Sequence, residues 1–365
     1  MRCLLMTPEN SDTPPKTASR QTKADRYARK RRAFVLATGM AVSIMPNGAS
    51  MAAAPDLLPG LVADERLRGE VPIPVAERDI PTVVAKPWVR ILEGPTPLEG
   101  VAFSTSGEIL LCDVGGGRVL RLTSEGVVSP LLERGSLGPG GLAIDTEGRV
   151  FVAAAGDLTA GTVGSLPEGG DDWQEILPTS AGYVPNDLVL DGRGGFYFTD
   201  FKGSAFEATG GVHHRAADGT ITSIVTGLAL PNGIALSPDR RTLWIAEHGR
   251  NRLVRVRLDG ATQIARLGID VVYHFIGPKP DTVRTDAEGN VYVALNGQGR
   301  VLVLSPGGIP IGQILLPGRE DGRNLRSTSF AIRPGGDEIV IVASDGERGG
   351  GGWTFRARTF GHGHR

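Results

Sequence analysis

The chain carries only two cysteines in 365 residues, Cys3 and Cys112. Cys3 falls in an N-terminal stretch that reads as removable, so the remainder has one thiol and no intramolecular disulfide. Aromatic residues make up 5% of the chain. No apolar run approaches the roughly 20 residues of a membrane-spanning helix, which excludes a membrane span of that kind. Neither sign of charge dominates, at a net −1. Residues 1–54 hold nine of the 39 Lys and Arg and three of the 40 Asp and Glu, leaving 30 against 37 and a net charge of −7. That balance argues against a nucleic-acid partner. No GxSxG elbow and no HExxH pair is present, and the glycine run in ERGGGGW at Glu347 is a loop with no following helix to cradle phosphate.

Glycine is abundant, 52 residues spread between short apolar runs, which points to many tight turns and an all-β chain. The first fifty residues differ in kind. They are polar and basic, then read KRRAFVLATGMAVSIM from Lys30, then NGASMAAAP. Arg31 and Arg32 followed by about a dozen apolar residues and small residues up to Ala54 resemble a twin-arginine export signal. The expected organisation is therefore a leader over 1–54, an extended linker over 55–82, one folded domain over 83–358 and a flexible tail over 359–365. Such a protein is exported, to the periplasm or beyond the cell.

The folded part is a repeat. GVAFSTSGEILLCD at Gly100 is echoed at Gly141, Asp187, Gly233, Thr282 and Ser329, six copies spaced 41, 46, 46, 49 and 47 residues apart. Each copy has a short apolar strand, a turn rich in Asp, Gly and Pro, and a second strand rich in Val, Ile, Tyr and Phe; most continue into a third, as in GRVLRLTSEG and NRLVRVRLDG. The period is that of four-stranded antiparallel blades, so the expected fold is a six-bladed β-propeller around a central channel. GGWTFRARTFG near the C-terminus is the candidate to close the ring beside residues 83–93.

The residues just before the six apolar runs are Glu99, Gly140, Asn186, Asn232, Asp281 and Thr328. If the first strand of each blade lines the channel, these positions form one ring on one face. Four are oxygen donors with no His or Cys among them, a set suited to one divalent cation, calcium first. A single Asn at a strand start more often bonds its own backbone; recurrence at one repeat position favours a site. The second strands end in Asp113, Asp200 and Glu247, with His248 and Asn296 just beyond, on the same face. Asp113, Asp200, Glu247 and His248 are candidate substrate contacts, or turn caps. His213 and His214 are adjacent in a strand and point to opposite faces. His362 and His364 belong to the tail, and residues 157–184 read as an insertion overhanging the ring.

The stretches LEGVAF at Leu98, PNDLVLDGRGGFYFTD at Pro185, LPNGIALSPDRRTLWIAE at Leu230 and PDTVRTDAEGNVYVAL at Pro280 resemble the senescence-marker-protein, gluconolactonase and luciferin-regenerating-enzyme-like propellers. That resemblance implies a divalent metal on Glu99, Asn232 and Asp281, with Asn186 completing its shell or holding substrate beside it. It implies Asp281 as general base and a small lactone as substrate, with no obligate protein partner. The phrase at Glu99 reads EGVAF, Thr282 follows Asp281, and Val184 stands where the sugar-lactone branch often has arginine, so the identity of the lactone is left open. The alternative is a non-catalytic binding module with a structural cation in its channel.

Overall fold

The computed structural model describes residues 70–170 and 172–364. The leader read over residues 1–54 lies outside the described residues. Among the described residues, twenty-five strands form six sheets. In blades one to five the sheet order follows the chain: 98–133, 139–177, 185–228, 231–274 and 280–315 each contribute four antiparallel strands. Blade six is built from Arg326–Ile332, Glu338–Ser344 and Gly352–Arg358, and its outermost strand is Lys86–Leu92 from the other end of the chain. The ring closes where Lys86 pairs with Arg356 and Leu92 with Gly352, beside the residues expected from the sequence.

The second strand of each blade is apolar without alternation because both of its faces are buried. In Thr242–Glu247, Leu243 and Ile245 pack toward blade three, while Trp244 and Ala246 pack toward blade five. Each junction between neighbouring blades has its own buried cluster, six in all, and that between blades two and three gathers Leu188, Phe196 and Phe198. Each fully buried side chain of this size contributes about 1.5–3 kcal/mol. The inner strands contact one another in sequence, and Arg326–Ile332 meets Leu98–Phe103 to complete the circle.

Three segments differ from their sequence reading. Residues 162–167 and 174–177 are the third and fourth strands of blade two, not an insertion over the ring. Gly169 and Gly170 lie in the turn that follows the third strand, and Trp173 covers Gly164, where a Cβ would lie 2.1 Å from the indole. Residues Thr82–Val84 add a fifth, parallel strand to blade five. Just before them, the buried Glu77 carboxylate pairs with the buried Arg300 guanidinium and accepts the Tyr273 hydroxyl. The described end of the chain is not a free tail. The Ala287 N–H donates to His362 O (2.7 Å), His362 Nδ1 lies 3.0 Å from Glu288, and His364 Nε2 lies 3.0 Å from Thr285 Oγ1. The segment also bonds to blade six, where the Gly335 N–H donates to Gly363 O (3.1 Å) and the Gly363 N–H donates to Gly336 O (2.9 Å).

Candidate functional site

All six inner strands shift register between the ring position and the apolar run: after Glu99, Pro139, Pro185, Pro231, Pro280 and Ser327. Each shift is a bulge that breaks the in–out alternation of the strand and re-aims the side chains at its start. Blade one shows how tightly this is built. Gly100 has φ +51°, and a Cβ there would lie 2.7 Å from Cys112 Sγ and 2.8 Å from Gly140 O. Only glycine permits that approach of Leu98–Phe103 to the backbone of Pro139–Ile144 in the next blade. Gly233 likewise admits Asp281 O, 2.4 Å from its would-be Cβ.

At the head of the channel Asp281 is almost wholly buried, 1% exposed. Its Oδ2 accepts the Asn296 amide (2.9 Å), and its Oδ1 is buried with no hydrogen bond within normal distance among the described residues. Burial pushes its carboxyl up to about 7; the Asn296 amide opposes this, Asp187 adds to it, and the Asn232 amide opposes it again. Glu99, partly buried, makes no ion pair among the described residues. Burial, then the carboxylates of Asp281 and Asp187, push it well above the usual carboxylate range, and Arg284 pulls it part of the way back. Two acids this close and this dry cannot both ionise without a compensating charge. Asn186 stands at the same position on blade three, its amide nitrogen 3.8 Å from the Cβ that Gly140 lacks.

The chemistry of this donor set fits a hard divalent cation. It offers two carboxylates, two carboxamides and an orphaned carboxylate oxygen, with burial that disfavours both acids until a cation arrives. Among the described residues no three His, Cys, Asp or Glu side chains gather as a metal cluster, so a cation at this ring needs the carboxamides of Asn186 and Asn232 beside the acids.

The acids at the ends of the second strands are spent on turns. Asp113 accepts the Gly116 N–H (2.9 Å) and the Arg118 fork (3.0 and 2.6 Å). Asp200 accepts the Val184 N–H (2.7 Å) and pairs with Lys202 (3.0 Å). Glu247 accepts the Ala229 N–H (2.9 Å) and pairs with Arg252. Of the sequence-read substrate contacts, Asn186 and His248 remain. His248 Nδ1–H donates to Pro280 O (3.0 Å), beside Asp281. Burial and Lys279 push its pKa down to about 4, so at neutral pH Nδ1–H donates and Nε2 is an acceptor. His213 stacks on Tyr183 and Phe198, whereas His214 faces Tyr197 and Asp191, on opposite sides of the strand.

Sequence reading missed two channel residues, Asp187 and Arg284. The guanidinium forks onto the carboxylate, Nη1 to Oδ2 at 2.7 Å and Nη2 to Oδ1 at 3.1 Å. A signal existed: the column of Asp187 otherwise reads Gly, Gly, Gly, Thr, Ser, and that of Arg284 reads Ala, Ala, Val, Ala, Ala. Below this pair lies a cavity of about 250 Å³ lined by Val101, Leu142, Leu188 and Ile234, with Pro334 and His364 also on its wall. Its mostly apolar lining makes it a poor reaction site beside the polar ring.

Fold and ring together define a six-bladed propeller with a polar, acid-bearing site at one mouth of its channel. The family model described as the SMP-30/Gluconolactonase/LRE-like region matches residues 171–322. Lactonase drp35 of Staphylococcus saprophyticus is 40% identical over 315 residues, spanning 84% of this chain and 97% of its own. Two solved structures share the fold. Regucalcin of Agrobacterium tumefaciens, a calcium-binding protein, has a TM-score of 0.63 at 19% identity over 78% of this chain and 98% of its own. A gluconolactonase of Xanthomonas campestris has a TM-score of 0.59 at 20% identity over 74% and 88%. The chain belongs to the SMP-30/gluconolactonase/LRE-like family.

Proposed function

We propose that the protein is a lactonase that opens the cyclic ester of small lactones with one divalent cation, calcium, held by Glu99, Asn186, Asn232 and Asp281. The observation that carries this reading is the buried, unpartnered Asp281 Oδ1 at the head of the channel beside a second uncompensated acid. The 40% identity to a lactonase over most of both chains supports the reaction class. Bound at this ring, the cation supplies Lewis-acid polarisation of the lactone carbonyl oxygen.

The protein's own groups do the rest. Asp281 takes a proton from the attacking water, while the Asn296 amide donates to its Oδ2 and so fixes the carboxylate plane. A positioned base of this kind contributes about 10²–10⁴-fold in rate. His248, neutral and tethered to the carbonyl next to Asp281, offers Nε2 as acceptor for a substrate hydroxyl or for the water. Asn186 orients the substrate or completes the donor set.

Acid release followed by pH-stat tests the proposal, using aldonolactones and aliphatic and aromatic lactones, with chelator and with calcium restored. Chelator-sensitive hydrolysis recovered by calcium is the expected result. A cation-loaded protein that opens none of these lactones would instead be a binding module whose cation pins the channel. Export of the mature enzyme by the twin-arginine route is part of the same proposal. Its check is whether Arg31→Lys with Arg32→Lys holds the protein in the cytoplasm.

A further inference from the structure

We infer that Arg284 is a positioning residue for the cation site: its fork on Asp187 ties together the three strands that carry Asn186, Asn232 and Asp281, and its charge sets the valence the site accepts. The inference rests on the proposed cation at that ring.

The geometry is specific to those three strands. Asp187 directly follows Asn186, and Arg284 lies three residues beyond Asp281. Besides its two bonds to Asp187, Arg284 Nη1 donates to Ile234 O (3.3 Å), two residues beyond Asn232, and to Val283 O (2.8 Å). Asp187 Oδ2 accepts the Ile234 N–H (3.1 Å) and Oδ1 accepts the Leu188 N–H (2.9 Å). Thr199 completes the tie. Its hydroxyl donates to Asn232 O (2.7 Å) and accepts the Asp187 N–H (3.1 Å). One partly buried guanidinium therefore spans blades three, four and five immediately below their donors.

Charge gives a second role. Asp113, Asp200 and Glu247 each have a cation of their own, Arg118, Lys202 and Arg252. The channel itself holds Glu99, Asp187 and Asp281 against Arg284, a formal −2 that one divalent cation cancels. Without Arg284 the formal charge is −3, and a trivalent ion gains more than a divalent one from the difference, because Coulomb energy scales with the product of the charges.

The test measures calcium by calorimetry and terbium by its luminescence, on the full-length protein, in wild type, Arg284→Met, Arg284→Lys and the double variant Arg284→Met with Asp187→Asn. Arg284→Met is expected to raise the preference for terbium over calcium about tenfold or more. Arg284→Lys, which keeps the charge and loses the fork, and the double variant, which restores −2, are expected to keep the wild-type preference while binding both ions about tenfold more weakly. If Arg284→Met does not fold with Asp187 left unpaired, the other two variants carry the test, since removing both partners of a buried pair is tolerated far better than removing one. Wild-type affinity in both the Lys and the double variant overturns the positioning role, and an unchanged preference in a folded Arg284→Met overturns the charge role. A wild-type chain that binds neither ion overturns the proposed cation site itself, a distinguishable result.

Discussion

Chelating the protein and raising the pH should destabilise it, and the size of the effect follows from Asp281. Its carboxyl is pushed from 3.8 up to about 7 by burial. Between these values the folded chain holds a proton that the unfolded chain has released, so stability is greatest below about pH 4 and falls as pH rises through 7. At 1.36 kcal/mol per pKa unit the full loss is about 4 kcal/mol, of which roughly 2–3 kcal/mol falls between about pH 5 and 8. For a domain of this size that lowers the melting temperature by about 3–5 °C. Glu99, also raised by burial, adds in the same direction. Calorimetry of the chelated protein across this range, beside Asp281→Asn, reads the effect. The variant should lose most of the slope, and excess calcium should reverse its sign in the wild type, because the ionised carboxylates are then the bound form. Parallel profiles for chelated wild type and Asp281→Asn would refute the reasoning, since they would mean that Asp281 does not take up a proton in the channel.

Other outcomes follow from individual contacts. Asp281→Asn should lower kcat for lactone hydrolysis by about 10²-fold or more, even at calcium concentrations that saturate it, as steady-state kinetics will show. Gly100→Ala forces a methyl against Cys112 Sγ and Gly140 O at a positive φ; chemical denaturation should show a loss of about 2 kcal/mol or more, together with weaker cation binding. Glu77→Gln leaves the Arg300 guanidinium, 1% exposed, without its counter-charge. The expected cost is about 3–5 kcal/mol, measured in the same way, although Glu77 lies far from the ring in sequence and outside the repeats.

The sequence by itself determined the six hairpin-based repeats, the period that makes them blades, and the column that places Glu99, Asn186, Asn232 and Asp281 at one level. These are short-range properties: strand alternation, turn composition and repeat spacing are all written within about fifty residues. What the tertiary structure decided depends on closing the ring. The partner of Gly352–Arg358 is the distant Lys86–Leu92, and residues 162–177 complete blade two, because every blade edge needs a partner and pattern alone does not say which strand supplies it. The same holds at the site. Asp113, Asp200 and Glu247 read in the sequence as either substrate contacts or turn caps, and the folded hairpins engage them with neighbouring N–H groups and basic side chains. Asp187 and Arg284, 97 residues apart, meet only because the inner strands of blades three, four and five converge on one axis. In that narrow, dry channel a carboxylate must find a cation, and only the folded ring determines which one it finds.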